Sequence, residues 1–167
     1  MTRVLITILF SGLVLVANAQ QNQAGATLEK LVRYVEQADS LALRAQRTFN
    51  LVKIGPSNSG LKETWHYTTQ NGKVVVFQVR YMRDSIEFTE VYYVSGDRLV
   101  CSEEYETIFL PDDDELKFGG IYYFNNNNIL QLITLGNRSG GPMRWDLKNL
   151  TLDRFRNRLA ELRENLN

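Results

Sequence analysis

Apolar side chains recur at every third or fourth position in the first third of the chain: Leu28, Leu31, Val32, Val35, Ala38, Ala42, Ala45, Phe49 and Val52. This spacing gathers them on one stripe of a helix. It predicts a long N-terminal helix over about 27–53, with Thr27 as N-cap and Glu29 in the first turn. Gly55-Pro56 and the following Ser57-Asn58-Ser59-Gly60 end it, because neither glycine nor proline continues a helix cheaply. The polar residues 20–26 read as a frayed leader.

From about 64 to 135 the pattern changes to short runs of Val, Ile, Tyr, Phe and Thr broken by turn residues, which predicts antiparallel strands. Three tight hairpins are expected at Gln70-Asn71-Gly72-Lys73, Ser95-Gly96-Asp97-Arg98 and Asn125-Asn126-Asn127-Asn128, where both central residues tolerate positive φ. The segments around them are degenerate copies of one another. Residues 91–100 align without gaps to residues 121–130, and a fainter copy occupies 66–75. With a further turn at Arg83-Asp84 and a loop over 110–117, these runs make a six-stranded, curved meander. Irregular spacing argues for hairpin duplication and against a solenoid. A last helix is predicted over about 151–166, capped by Thr151 with Asp153 in its first turn, its stripe formed by Leu152, Phe155, Leu159, Leu162 and Leu166. Arg154, Arg156, Arg158 and Arg163 are expected on its solvated face. The fold class is α+β: a long helix, an antiparallel sheet, a second helix.

The N-terminus follows a different logic. Arg3 precedes an uncharged stretch from Val4 to Val16, then Ala17-Asn18-Ala19, then a polar run from Gln20. These are the n-region, h-region and A-x-A site of a secretory signal, with cleavage expected after Ala19 and a single domain over 20–167. The apolar stretch falls short of the roughly 20 residues of a membrane span. No second such stretch follows, so no membrane span is expected after cleavage, and the product is expected to be soluble, secreted or periplasmic. Tyr-Tyr-hydrophobic followed by a short Asn/Gly/Asp turn and an apolar strand resembles hairpins of small exported proteins of Bacteroidota, and the A-x-A site followed by Gln is similar to their export signals. The resemblance covers about 30 residues of hairpin plus the signal. That group shares no activity, so the resemblance implies a compartment and little else.

Composition narrows the function classes. Nineteen Lys and Arg balance 19 Asp and Glu, so the clustered positive charge that a nucleic acid requires is missing. Cys101 is the sole cysteine and His66 the sole histidine. Cys101, between Val100 and Ser102, reads as a small buried hydrophobe. There is no H-x-x-x-H, C-x-x-C, Walker or G-x-S-x-G motif, so no cofactor and no metal is expected. Asp112-Asp113-Asp114-Glu115 offers oxygen donors suited to calcium but lacks the Gly-punctuated spacing of a calcium loop, and reads as a solvated tip.

The candidate chemistry comes from strand pairing. Two-residue turns at Asn71-Gly72, Arg83-Asp84 and Gly96-Asp97 put His66, Phe77, Glu90 and Glu103 in one transverse row. The face so defined is otherwise apolar: Val75, Phe77, Val79, Tyr81, Ile86, Phe88, Tyr92, Val94, Leu99, Cys101, Tyr105 and Phe109. Glu90 and Glu103, with His66, are the candidates for an acid/base pair. A bulge in either strand would instead turn one glutamate away, and a helix arginine would neutralise both. The opposite face carries Val74, Val76, Val91 and Tyr93, joined by Trp65 and Tyr67. Such an apolar surface needs a covering helix or a partner, which makes Trp65, Tyr67 and Tyr93 the candidate binding residues. The leading expectation is a non-enzymatic binding or interaction module for a protein partner. The alternatives are a cradle for an apolar small molecule or lipid and, third, a hydrolase using Glu90 and Glu103.

Overall fold

The computed structural model describes residues 2–54, 60–109, 114–139 and 146–166, with side chains described from Gln23 onward, that of Asp114 excepted. Helix α1 (Thr2–Ala45) leads into seven strands, β1 (Arg47–Ile54), β2 (Gly60–Gln70), β3 (Lys73–Arg83), β4 (Ile86–Ser95), β5 (Arg98–Phe109), β6 (Asp114–Asn125) and β7 (Asn128–Gly136), and helix α2 (Leu147–Leu166) follows them. The strands form one antiparallel sheet in the order β1 to β7, a pure meander. The helices cover opposite faces. Under α1, Val35 and Ala38 meet Val75, Val76, Tyr93, Val100 and Cys101. Under α2, Leu147, Leu152, Phe155, Leu159 and Leu162 meet Trp65, Phe77, Val79, Tyr92, Val94, Tyr122 and Phe124.

Three boundaries differ from the sequence expectation. The helix expected to run to residue 53 stops at Ala45, and residues 47–54 form a seventh strand in which Phe49, Leu51 and Lys53 are half-buried while Thr48, Asn50 and Val52 face out. Phe49 and Val52 fit the helical stripe only by coincidence of spacing. Thr27 lies inside α1, and its Oγ1 donates to the Gln23 carbonyl (2.8 Å), so it caps nothing. Helix α2 begins one turn before Thr151. The Asp146 carbonyl accepts its first bond, from the Leu150 amide (3.1 Å), and Thr151 is buried within it.

The hairpin turns have the expected chemistry. Asn71 and Gly72, Gly96 and Asp97, and Asn126 and Asn127 all have positive φ, which matches the right-handed strand twist. Beyond each turn, however, the register slips. Thr68 pairs with Val76 while Thr69 pairs with Val74, Tyr93 with Cys101 while Val94 pairs with Leu99, and Tyr123 with Gln131 while Phe124 pairs with Ile129. Val75, Val100 and Leu130 are therefore extra residues, each the third after its turn and each the last residue of its repeat copy. The repeat is a hairpin with a built-in bulge, and a bulge exchanges the faces of everything beyond it.

The face assignment is corrected accordingly. Val75 and Cys101 lie under α1, and Trp65, Tyr67 and Val74 lie on the α2 side. Val76, Val91 and Tyr93 form the apolar surface under α1, the covered alternative of the two that the sequence left open. The turn expected at Arg83-Asp84 also shifts by one position, to Asp84-Ser85, so Val79 pairs with Glu90 instead of Phe88. Gly119 and Gly120 thin β6 where bulky rings meet it: Gly119 lies opposite Tyr105, and a Cβ on Gly120 would stand 2.6 Å from the Tyr122 hydroxyl.

Candidate functional site

Four glutamates stand beneath α2, only 1–6% exposed: Glu63 on β2, Glu90 on β4, and Glu104 and Glu106 on β5. Buried carboxylates persist only when paired or hydrogen-bonded: three of these are ion-paired, and Glu106 is held by a backbone amide. Arg158 reaches from α2 to Glu63 Oε1 through Nη1 and to Glu90 Oε2 through Nε, both at 2.9 Å. Arg154, one turn earlier, pairs with Glu104 Oε1 at 2.7 Å and stands 3.8 Å from Glu90 Oε1. Arg138, just past β7, also pairs with Glu104. Lys53 of β1 is 3.1 Å from Glu63 Oε2, and the Ser139 amide donates to Glu106 Oε2 at 2.6 Å. The Trp65 indole donates to Glu63 (3.0 Å), and the hydroxyls of Tyr81 and Tyr92 donate to Glu90 (3.2 and 3.1 Å).

The electrostatics follow from this wiring. Burial alone would push the Glu63 carboxyl up, but Arg158 and Lys53 outweigh it and hold it below its ordinary value. Burial would likewise lower Arg158, and Glu90 and Glu63 together drive it up instead. Burial, with the Glu90 charge, lifts the Tyr81 phenol to about 12. Arg158 also lies over the Trp65 and Tyr81 rings, 5.5 and 5.7 Å from their centroids. This is a saturated ion network. Every carboxylate that could act as a base already holds a donor.

Across the sheet, under α1, the wiring is different. A cleft of about 300 Å³ is lined by Asp39 of α1, His66 and Thr68 of β2, Tyr93 of β4, and Glu103 and Tyr105 of β5, among others. The Tyr93 hydroxyl donates to Asp39 Oδ1 (2.9 Å) and that of Tyr105 to Glu103 Oε2 (2.8 Å). Burial raises the Glu103 carboxyl and nearby Asp39 adds to the rise, while the Tyr105 and Tyr93 phenols offset part of it. His66 shares a hydrogen bond with Thr48 Oγ1 through Nδ1 (2.8 Å), and burial, then the charge of Arg80, holds it below its ordinary value.

The predicted row is thus split. Glu90 faces Glu104, not Glu103, because the Val100 bulge shifts β5 by one residue; Glu103 pairs with Val91 on the α1 face. His66 lies opposite Gln78, not Phe77, because of the Val75 bulge. His66 and Glu103 therefore share the α1 cleft without Glu90. Of the candidate binding residues, Trp65 is fully buried on the α2 side, its ring stacked between Phe49 and Phe77 at 5.6 and 6.2 Å. Tyr67 is half-buried and packs edge-on to Phe49, and Tyr93 is buried beneath α1. Arg154 and Arg158 are not solvated as expected. Arg158 lies three residues after Phe155 and four before Leu162, within the apolar stripe itself, which was the sequence signal for its burial. Asp112 and Asp113 of the acidic run lie outside the described residues, and Glu115 is exposed. Among the described residues no cluster of His, Cys, Asp and Glu has the geometry to hold a metal, and no helix is long and apolar enough to cross a membrane.

No family model, curated protein or solved structure matches the chain.

Proposed function

We propose that this chain is an exported, non-enzymatic interaction module that receives an extended, uncharged segment of a protein partner along the free edge of β7. The observation that carries this reading is β7 itself. It spans nine residues, Asn-Ile-Leu-Gln-Leu-Ile-Thr-Leu-Gly, without a charge, and exposes Leu132, Ile133 and Leu135 by 40, 49 and 66%. Among the described residues no strand pairs with its outer side. An uncharged apolar edge of this kind invites strand addition, in which main-chain bonds supply affinity and alternate side chains supply selectivity. Nine residues present about 30 Å of ladder. The opposite edge, β1, carries Arg47 and Lys53, the usual means of discouraging such pairing.

Two other readings find less support. In the hydrolase reading Glu90 would have to give up Arg158 before acting on a substrate proton. In the apolar cradle reading the ligand would meet charged or hydroxyl-bearing walls, since the clefts of 300–510 Å³ are lined by such groups.

The test is a photo-crosslinking amino acid placed at Leu135 on the β7 edge or at Val52 on the β1 edge, two positions of nearly equal exposure (66 and 65%). In the native host, illumination at position 135 is expected to yield a discrete adduct with another protein, absent at position 52 and abolished by Ile133→Lys. An adduct of twice the chain's own mass would assign the edge to a second copy. No adduct, or equal adducts from both edges, would overturn the proposal.

A further inference from the structure

The two faces of the sheet treat their carboxylates oppositely. Beneath α2 every buried glutamate is matched by arginine, lysine or a backbone amide. In the α1 cleft Asp39 is close enough to raise the cost of charge on Glu103, and no Lys or Arg is among the described residues lining it. Arg80, whose charge reaches His66, is itself engaged by Glu87 at 2.7 Å. A second, independent feature marks the same wall: Thr68, 1% exposed, leaves its Oγ1 without a hydrogen-bond partner among the described residues. Buried hydroxyls are rarely left so, because the unmade bond costs about 1–3 kcal/mol.

We infer that the α1 cleft is a binding site for a small organic ammonium ion, held between the Asp39 and Glu103 carboxylates against the Tyr93 and Tyr105 rings, with the Thr68 hydroxyl as a further acceptor. Each component suits that chemistry. Two carboxylates without a resident cation supply charge-assisted acceptors. Phenol rings supply a negative face to an ammonium group. The remaining polar lining, Gln46, Gln78 and Thr89, adds neutral acceptors. A volume of about 300 Å³ is at the small end of ligand pockets and admits a short alkyl chain, not a peptide. The site is independent of β7 and of the partner proposed for it. Binding also has a protonic signature. An arriving cation favours the ionised form of Glu103, so part of the Glu103 population that is protonated in the free protein gives up its proton on binding. The groups facing it are Asp39 from α1, His66 from β2, Tyr93 from β4, Tyr123 from β6, and Cys101 and Tyr105 from its own strand.

The experiment is a calorimetric and amide-shift NMR titration of the purified protein with putrescine and with n-butylammonium. n-Butanol serves as the uncharged isostere, and calcium as the competing explanation for a carboxylate pair. Saturable binding of the amines is expected, with shifts concentrated at Thr68, Tyr93 and Tyr105 and with net proton release at mildly acidic pH. Asp39→Asn and Glu103→Gln should each weaken binding by about ten- to a hundredfold, the loss of one charge-assisted bond, while Asp153→Asn on the exposed face of α2 leaves it unchanged. Because Glu103→Gln relieves a half-buried charge that burial and Asp39 disfavour, that variant is expected to fold. Absence of saturation, equal binding of n-butanol, preferential binding of calcium, or undiminished binding in both cleft variants would each overturn the inference.

Discussion

Replacing Arg158 with methionine is the sharpest probe of the α2 network, since it keeps most of the apolar stem and removes the charge. Arg158 makes two ion pairs at 2.9 Å, to carboxylates whose side chains are only 1 and 6% exposed. Removing one partner from a buried pair costs about 3–5 kcal/mol, because the other charge is left desolvated. Here the low end applies. Lys53 remains 3.1 Å from Glu63, and Glu90 keeps the hydroxyls of Tyr81 and Tyr92 together with Arg154 at 3.8 Å. A loss of about 3 kcal/mol at pH 7.5 corresponds to a fall in melting temperature of about 6–12 °C for a chain of this size.

The loss must also depend on pH. In the native protein Glu63 has a lowered folded-state pKa; the stability it contributes is present above the unfolded pKa and drains away as pH falls through the folded one. In the variant Arg158 no longer holds the Glu63 carboxyl down, so that part of the stability is already missing at pH 7.5 and cannot be lost as pH falls. The gap therefore shrinks in acid. Denaturant unfolding followed by circular dichroism should give about 3 kcal/mol at pH 7.5 and under about 1 kcal/mol at pH 4. A deficit that is equal at both pH values, or below about 1 kcal/mol at pH 7.5, would refute the network as described. Adding Glu63→Gln and Glu90→Gln to the variant should restore most of the stability.

Glu103→Gln should raise the denaturation midpoint at pH 7 and do so much less near pH 4. The raised folded-state pKa of Glu103 means that folding is penalised increasingly as pH climbs through and past the unfolded value; an equal shift at both pH values would contradict this. Leu159→Ala empties a buried position in the α2 stripe and should cost about 2–5 kcal/mol in the same assay, with a loss below about 0.5 kcal/mol meaning that the stripe does not pack. Gly120→Ala forces a Cβ to within 2.6 Å of the fully buried Tyr122 hydroxyl and 3.1 Å of the Phe118 ring, for an expected cost of about 1–3 kcal/mol. An unchanged melting temperature would show that the ring moves freely.

Much of the architecture was legible because it is written in local rules. The helix stripes, the strand-rich middle and the two-residue positive-φ turns are each fixed by periodicity or by a single dipeptide. Strand β1 was hidden because Phe49 and Val52 extend the helical spacing of α1 while Phe49, Leu51 and Lys53 alternate as a strand. The bulges were hidden for a related reason. Val75 and Val100 are apolar and β-branched, and they sit as well under α1 as they would under α2, so no clash of polarity marks the slip. The candidate site suffered most, since its row of residues assumed unbroken register across three hairpins, and a single slip in each of two was enough to send His66 and Glu103 to one helix and leave Glu90 with the other. Arg158 could have been found: a charged residue in the middle of an apolar stripe must meet opposite charge on the surface that the stripe covers.

The meander order has a kinetic side. Each strand lies beside its sequence neighbour, so the ladders close over short chain separations, whereas α1 and α2 reach the sheet across long ones: Tyr34 to the Val94 carbonyl over 60 residues, Arg158 to Glu63 over 95. Short closures form fastest, which implies a sheet assembled hairpin by hairpin before the C-terminal helix docks. On the ribosome, α2 is synthesised after all seven strands. Until then Glu63, Glu90, Glu104 and Glu106 stand hydrated on the open face of the growing sheet, where like charges on neighbouring copies repel and oppose the face-to-face aggregation to which unfinished β-sheets are prone. Of these carboxylates, the three that arginine neutralises in the finished protein, Glu63, Glu90 and Glu104, thus lend their charge to the unfinished sheet until α2 arrives.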